Sequence, residues 1–242
     1  MKTFFYTIIL LFLGFSAFTQ TADVQCKPIS EMEKSAHQNK YNKSAQGTMA
    51  LNNYDIVYDR CEWEIDPNVF YIKGKITTHF RSREDNLSKL EFDLRSNMTV
   101  DSILFHGQIT SFFHSSNIIT VNLPISISIN ETDSLSIFYQ GAPSQSNSAF
   151  TKSNHSGTPV IWTLSEPYGA RDWWPWKQNL SDKIDSIDIL ITTPSEFRAA
   201  SNGKLISENE NNGKTTYHWQ HRHPVTTYLV ALAVTNYEVY SD

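Results

Sequence analysis

The residues whose types could do chemistry lie between Trp162 and Lys177, which reads W-T-L-S-E-P-Y-G-A-R-D-W-W-P-W-K. Trp162, Trp173, Trp174 and Trp176 supply apolar surface, and among them stand Glu166, Arg171 and Asp172. Pro167, Gly169 and Pro175 exclude a regular helix or a central strand. A charge inside an aromatic loop is costly unless it is paired or meets a ligand. On one reading the stretch is a structural plug, with Arg171 paired to a carboxylate and the tryptophans filling a core. On the other, Glu166 is a carboxylate presented at a site and aimed at a cationic group. A rival for the aromatics is a stacking platform for sugars, as on a carbohydrate-binding or adhesion module. That rival requires flat, exposed rings set away from Glu166.

Other motifs are sparse. His218, His221 and His223 form H-W-Q-H-R-H, and on a strand His221 and His223 face the same way. No third ligand of matching spacing is nearby, so the cluster reads as a polar strand end and no metal site is assigned. H-E-x-x-H, C-x-x-C, G-x-S-x-G and a glycine-rich phosphate loop are all absent from the sequence. With 20 basic and 25 acidic residues and no basic cluster, the charge speaks against nucleic acid as a partner. Asn42, Asn86, Asn97, Asn130, Asn154 and Asn179 each begin an N-x-S/T triplet.

The elements that must position the tryptophan stretch are strands. Residues 1–20 are read first as a secretory signal peptide: Lys2, an apolar run from Phe4 to Phe15, then small residues. The run is too short for a comfortable membrane span, so no transmembrane segment is expected after cleavage. The expected localisation is secreted or periplasmic. Residues 21–50 are polar and aperiodic, a flexible leader with a short helix around Ile29 to His37. From Tyr54 the pattern alternates. Ile72, Ile76 and Phe80 share one face, Lys73, Lys75 and Thr77 the other; Ile187, Ile189 and Ile191 repeat the theme. Further strands are expected over Leu90–Leu94, Val100–His106, Ile119–Leu123 and Leu135–Tyr139, with a polar loop from Ser144 to Gly157. Asn202-Gly203 and Asn212-Gly213 mark turns, the second joining a hairpin. Tyr228 to Val234 reads as a strand covered on both faces. Many short strands without helical periodicity predict an all-β sandwich over 51–242. An oxidising compartment permits a Cys26–Cys61 disulfide. Cys61 sits in a strand with Val57, Trp63 and Ile65 at alternate positions, which favours a buried free thiol.

From about Tyr54 to Asp242 the chain resembles the N-terminal domain of the aminopeptidase N family of zinc metallo-aminopeptidases, in the form of its secreted bacterial members. The resemblance rests on Thr163-x-x-Glu166-Pro167-x-x-Ala170-Arg171 followed by aromatics and Pro175. It is supported by Ile137-x-Tyr139-x-Gly141-x-Pro143, by Ala200-Ser201-Asn202-Gly203, and by Tyr228-Leu229-Val230-Ala231. Where many members carry Cys after that proline, this chain has Trp176. The resemblance implies an extended, saddle-like β-sandwich of mostly antiparallel strands that packs on a thermolysin-like catalytic domain. It implies that Glu166 binds the α-amine of a peptide N-terminus, and that Arg171 and Pro175 shape its loop. Zinc is implied for the complete enzyme and no cofactor for this chain, which ends before an H-E-x-x-H segment. The chain alone is therefore expected to be inactive, as the substrate-anchoring part of a larger enzyme. A stand-alone adhesion or glycan-binding sandwich and an inactive truncated paralogue are the alternatives.

Overall fold

The chain folds into fifteen strands, most of them with apolar–polar alternation, in the computed structural model, which describes residues 52–145, 148–179 and 181–239. The expected signal peptide and leader, with Cys26 and the helix around Ile29 to His37, lie outside the described residues. The strands are β1 (Tyr54–Glu64), β2 (Ile72–Ser82), β3 (Leu87–Asp93), β4 (Thr99–Phe105) and β5 (Gln108–Ile109). Then come β6 (Phe112–Ser115), β7 (Ile118–Ile127), β8 (Thr132–Gly141), β9 (Phe150–His155) and β10 (Thr158–Thr163). The last five are β11 (Ser186–Pro194), β12 (Arg198–Ser201), β13 (Lys204–Asn211), β14 (Lys214–His221) and β15 (Leu232–Thr235). Helix is limited, among the described residues, to short 3-10 turns at Ala170–Asp172 and Thr227–Leu229.

Three sheets result. An eight-stranded sheet runs β13-β14-β11-β1-β2-β8-β4-β5, a four-stranded one β12-β15-β10-β9, and a three-stranded one β3-β7-β6. Pairing is antiparallel except between β1 and β11, which run parallel from Tyr58↔Ser186 to Glu64↔Thr192. The expected all-β sandwich is what forms. Ile72, Ile76 and Phe80 are buried together, as are Ile187, Ile189 and Ile191. Burying each such side chain contributes roughly 1.5–3 kcal/mol.

The structure departs from the sequence reading in three places. A β-bulge between Ile56 and Tyr58 shifts the phase of β1. Tyr54 and Ile56 face the core before it and Asp59, Cys61, Trp63 and Ile65 after it, while Val57 is only half-buried. Cys61 is buried and free, as its strand context suggested. Second, the expected loop from Ser144 to Gly157 contains β9, whose only buried residue is Phe150, so no alternation announces it. Third, the Tyr228–Val234 run is not one strand. Its start lies in the 3-10 turn, Leu229 is 53 % exposed, and the strand begins at Leu232.

Candidate functional site

The loop carrying Glu166 leaves the end of β10 and is fixed at several points. Leu164 donates its N–H to Ala149 O at 3.0 Å, and Gly169 donates to Ser165 O at 2.7 Å. Trp173 Nε1 donates to Ser165 Oγ at 2.9 Å, a buried bond that holds the residue immediately before Glu166. Gly169 is required by space: a Cβ there would lie 2.7 Å from Ala149 Cβ. The Glu166–Pro167 peptide is cis.

Beyond the 3-10 turn the chain runs through the core. Trp173, Trp174 and Trp176 are buried, and Trp63 packs against Trp173 and Trp174 with ring centroids 4.9 and 5.8 Å apart. Trp63 Nε1 donates to Tyr139 OH at 2.9 Å. The three tryptophans beside Pro175 thus fill a core and leave no exposed stacking face, which removes the main feature of the sugar-platform alternative. Trp176 forms an isolated antiparallel bridge with Asp93, its N–H donating to Asp93 O at 3.1 Å. Asp93 Oδ2 accepts from Gln178 N at 3.0 Å.

Each residue singled out by sequence has a distinct setting. Glu166 is exposed, and among the described residues its carboxylate makes neither a hydrogen bond nor an ion pair. Pro175 is buried between Trp174 and Trp176. Arg171 is 3 % exposed, and its backbone carbonyl accepts from Arg95 N at 2.9 Å. Its Nε and one terminal nitrogen are buried without a hydrogen-bond partner. Burial presses its pKa below the usual guanidinium value and Arg95 adds to this, while Asp93 and Asp172 pull it back. The buried carboxylate of Asp172 is held instead by Arg95 Nε at 2.7 Å. The plug reading is therefore right for the tryptophans, and the expected direct bond between Arg171 and a carboxylate is replaced by one from Arg95.

Sequence reasoning missed the polar frame around the loop. Lys177 is 1 % exposed; its ammonium contacts Asp182 and Tyr54 O and lies 4.5 Å from the centre of the Tyr54 ring. Burial lowers the Lys177 pKa and raises that of Asp182, against the attraction between them. The five-residue spacing of Lys177 and Asp182 was the only available signal, and it is common on solvated surfaces. His218 does not sit with His221 and His223 as a ligand set. Its Nε2 donates to Asp188 Oδ1 at 2.6 Å, while Arg222 and Tyr58 donate to Asp188 Oδ2 at 2.7 and 2.9 Å. Burial would raise the Asp188 pKa, but the bonds from Arg222, His218, Tyr58 and Gln220 outweigh it and hold the group at about 2.

Comparison with known proteins follows the same lines. The family model described as the peptidase M1 N-terminal domain matches residues 51–229. No curated protein matches the sequence. Among solved structures, an M1 zinc metallopeptidase from Deinococcus radiodurans superposes with a TM-score of 0.70 at 26 % identity, covering 77 % of this chain and 43 % of that one. A mutant of that enzyme bound to a Tyr-Ser-Ala substrate gives a TM-score of 0.69 at 26 % identity and the same coverage. Native yeast LTA4 hydrolase shares the fold at 17 % identity with a TM-score of 0.64, covering 77 % of this chain and 30 % of its own. The present chain thus spans less than half the length of these structures.

Proposed function

The chain belongs to the peptidase M1 N-terminal domain family, and from that premise we propose that it anchors substrate in a secreted zinc aminopeptidase. The observation that carries the proposal is Glu166: an exposed carboxylate, without a partner among the described residues, on a loop whose flanks are buried and pinned. Such a group is positioned to receive the α-ammonium of a peptide. The charge-assisted hydrogen bond requires a free N-terminus, which is what distinguishes an exopeptidase from an endopeptidase. By holding the ammonium at a fixed point, Glu166 measures one residue to the scissile bond.

Zinc, as the family implies, would polarise the scissile carbonyl or activate water. The described residues of this chain do not fit that metal. Among the described residues no group of three or more His, Cys, Asp or Glu is placed to hold an ion, and His218 is committed to Asp188. In this reading zinc is held by a catalytic domain of thermolysin-like architecture packed on this one.

The test uses the complete enzyme. Glu166→Ala should leave the melting temperature near wild type, since exposed side chains away from packing rarely change stability by more than about 0.5 kcal/mol. It should cost about 2–5 kcal/mol in kcat/KM on an aminoacyl amide, the usual penalty for deleting one partner of a desolvated charge pair. A variant that melts far below wild type yet keeps full kcat/KM would make the carboxylate structural and end the proposal.

A further inference from the structure

Strand β9 is the outer edge of the four-stranded sheet and, among the described strands, pairs only with β10, from Phe150↔Thr163 to His155↔Thr158. The bond from Leu164 N to Ala149 O sets the phase of that ladder. Antiparallel pairs alternate between bonded and non-bonded. Thr151, Ser153 and His155 therefore bond inward to β10, while the N–H and C=O groups of Phe150, Lys152 and Asn154 point outward. Pro159 agrees with this phase, because it faces Asn154 at a non-bonded position where a missing N–H disturbs no bond. So does the two-residue turn Ser156-Gly157, with φ of 50° and 87°, which closes on the bonded pair His155/Thr158. No other described strand covers the outward edge.

Beside the edge runs a groove of about 430 Å³ lined by Phe70, Phe150, Lys152, Asn154 and Gln145. Phe70 and Phe150 meet edge to face at 5.7 Å. Among the described residues of the lining Lys152 is the one charged side chain; its ammonium rests on the carbonyl of Asn68, and no described acid pairs with it. We propose that this edge takes an extended acidic polypeptide segment as an added strand. Its main chain would continue the ladder at Lys152 and Asn154, an apolar side chain would lie on the half-buried Phe70, whose ring is backed by the buried Phe150, and a carboxylate would draw Lys152 off the Asn68 carbonyl. A second copy of the chain is a poorer occupant, because two-fold pairing centred on Lys152 sets ammonium against ammonium. The proposal is independent of the role given to Glu166.

The probe is the capped peptide Ac-Thr-Val-Glu-Val-Thr-amide, titrated into the ¹⁵N-labelled chain. The backbone amides of Lys152 and Asn154 should shift saturably at submillimolar to millimolar peptide. Replacing the central Glu by Lys should weaken binding about tenfold, as expected for losing a charge-assisted bond. A peptide N-methylated at every residue should not bind. Lys152→Glu, an exposed substitution, should reverse the Glu-over-Lys preference. Asn154→Pro should abolish binding, since it removes an outward N–H and leaves the ladder to β10 intact. Three results would overturn the proposal: unmoved amides at millimolar peptide, equal response to the N-methylated peptide, or equal binding of Glu and Lys peptides. Shifts at the same amides that grow with chain concentration, without peptide, would assign the edge to a second copy and overturn it too.

Discussion

Asp59 lies on β1 with 2 % of its surface exposed and accepts a hydrogen bond from Thr78 Oγ1 at 2.7 Å. Burial pushes its carboxyl up to about 7; the Thr78 bond opposes this and the charge of Asp182 adds to it. An unfolded aspartate titrates near 4, so between about pH 4 and 7 the folded chain holds a proton that the unfolded chain has lost. This contribution is fully present below pH 4, falls as pH rises, and is lost above about 7. Unfolding in urea should therefore show stability declining from pH 5 to pH 8. Asp59→Asn should flatten that decline and raise stability at pH 8, with a ceiling of about 4 kcal/mol from the three-unit shift. Asp188 works in the opposite sense: held at about 2, it supports the fold above the ordinary aspartate range and ceases to do so in strong acid. At this scale the sequence was a fair guide to identity and a poor one to setting. Glu166 could be picked from its motif, but its having no partner among the described residues depends on which neighbours the fold sends elsewhere. Asp172, next to Arg171 in the chain, is held by Arg95, 77 positions away.

The Glu166 loop acts as an element through its ties to β10 and the tryptophans. Gly169→Ala forces a Cβ against Ala149 and the backbone of Ser165, and overpacking of that kind costs about 1–3 kcal/mol. In the complete enzyme both melting temperature and kcat/KM should fall, unlike the outcome for Glu166→Ala. Trp173→Phe keeps most of the ring's packing but removes the donor to Ser165, so thermal unfolding should register a loss of about 1 kcal/mol or more. Strands with one buried face were legible because alternation is the direct imprint of that burial, as in β2 and β11. β9 was not, since Lys152 to His155 are exposed and Thr151 to His155 carry no apolar signal. Nor was the break in the Tyr228–Val234 run, where a 3-10 turn bonded by Leu229 N to Thr226 O interrupts residues that would all suit a strand.

On the scale of the whole molecule, the large sheet depends on residues far apart in the chain. Lys177 and Asp182 clasp the start of β1 through the carbonyl and ring of Tyr54, 123 positions from Lys177. Removing Lys177 leaves the buried Asp182 carboxylate to the more exposed Arg83 at 3.5 Å, so Lys177→Ala should destabilise by about 3 kcal/mol, measurable by denaturant unfolding. The parallel pairing of β1 with β11 has a further consequence for how the polypeptide is made. Tyr58 and Asp188 share a bond across 130 positions, so β1 must wait, with one flank unpaired, until most of the domain has left the ribosome. Contacts of such separation slow folding and lengthen the interval in which a bare strand can meet another nascent chain. A chain ended before Ser186 should leave the β1 amides that face β11 open to rapid hydrogen exchange, and supplying the missing strand should close them.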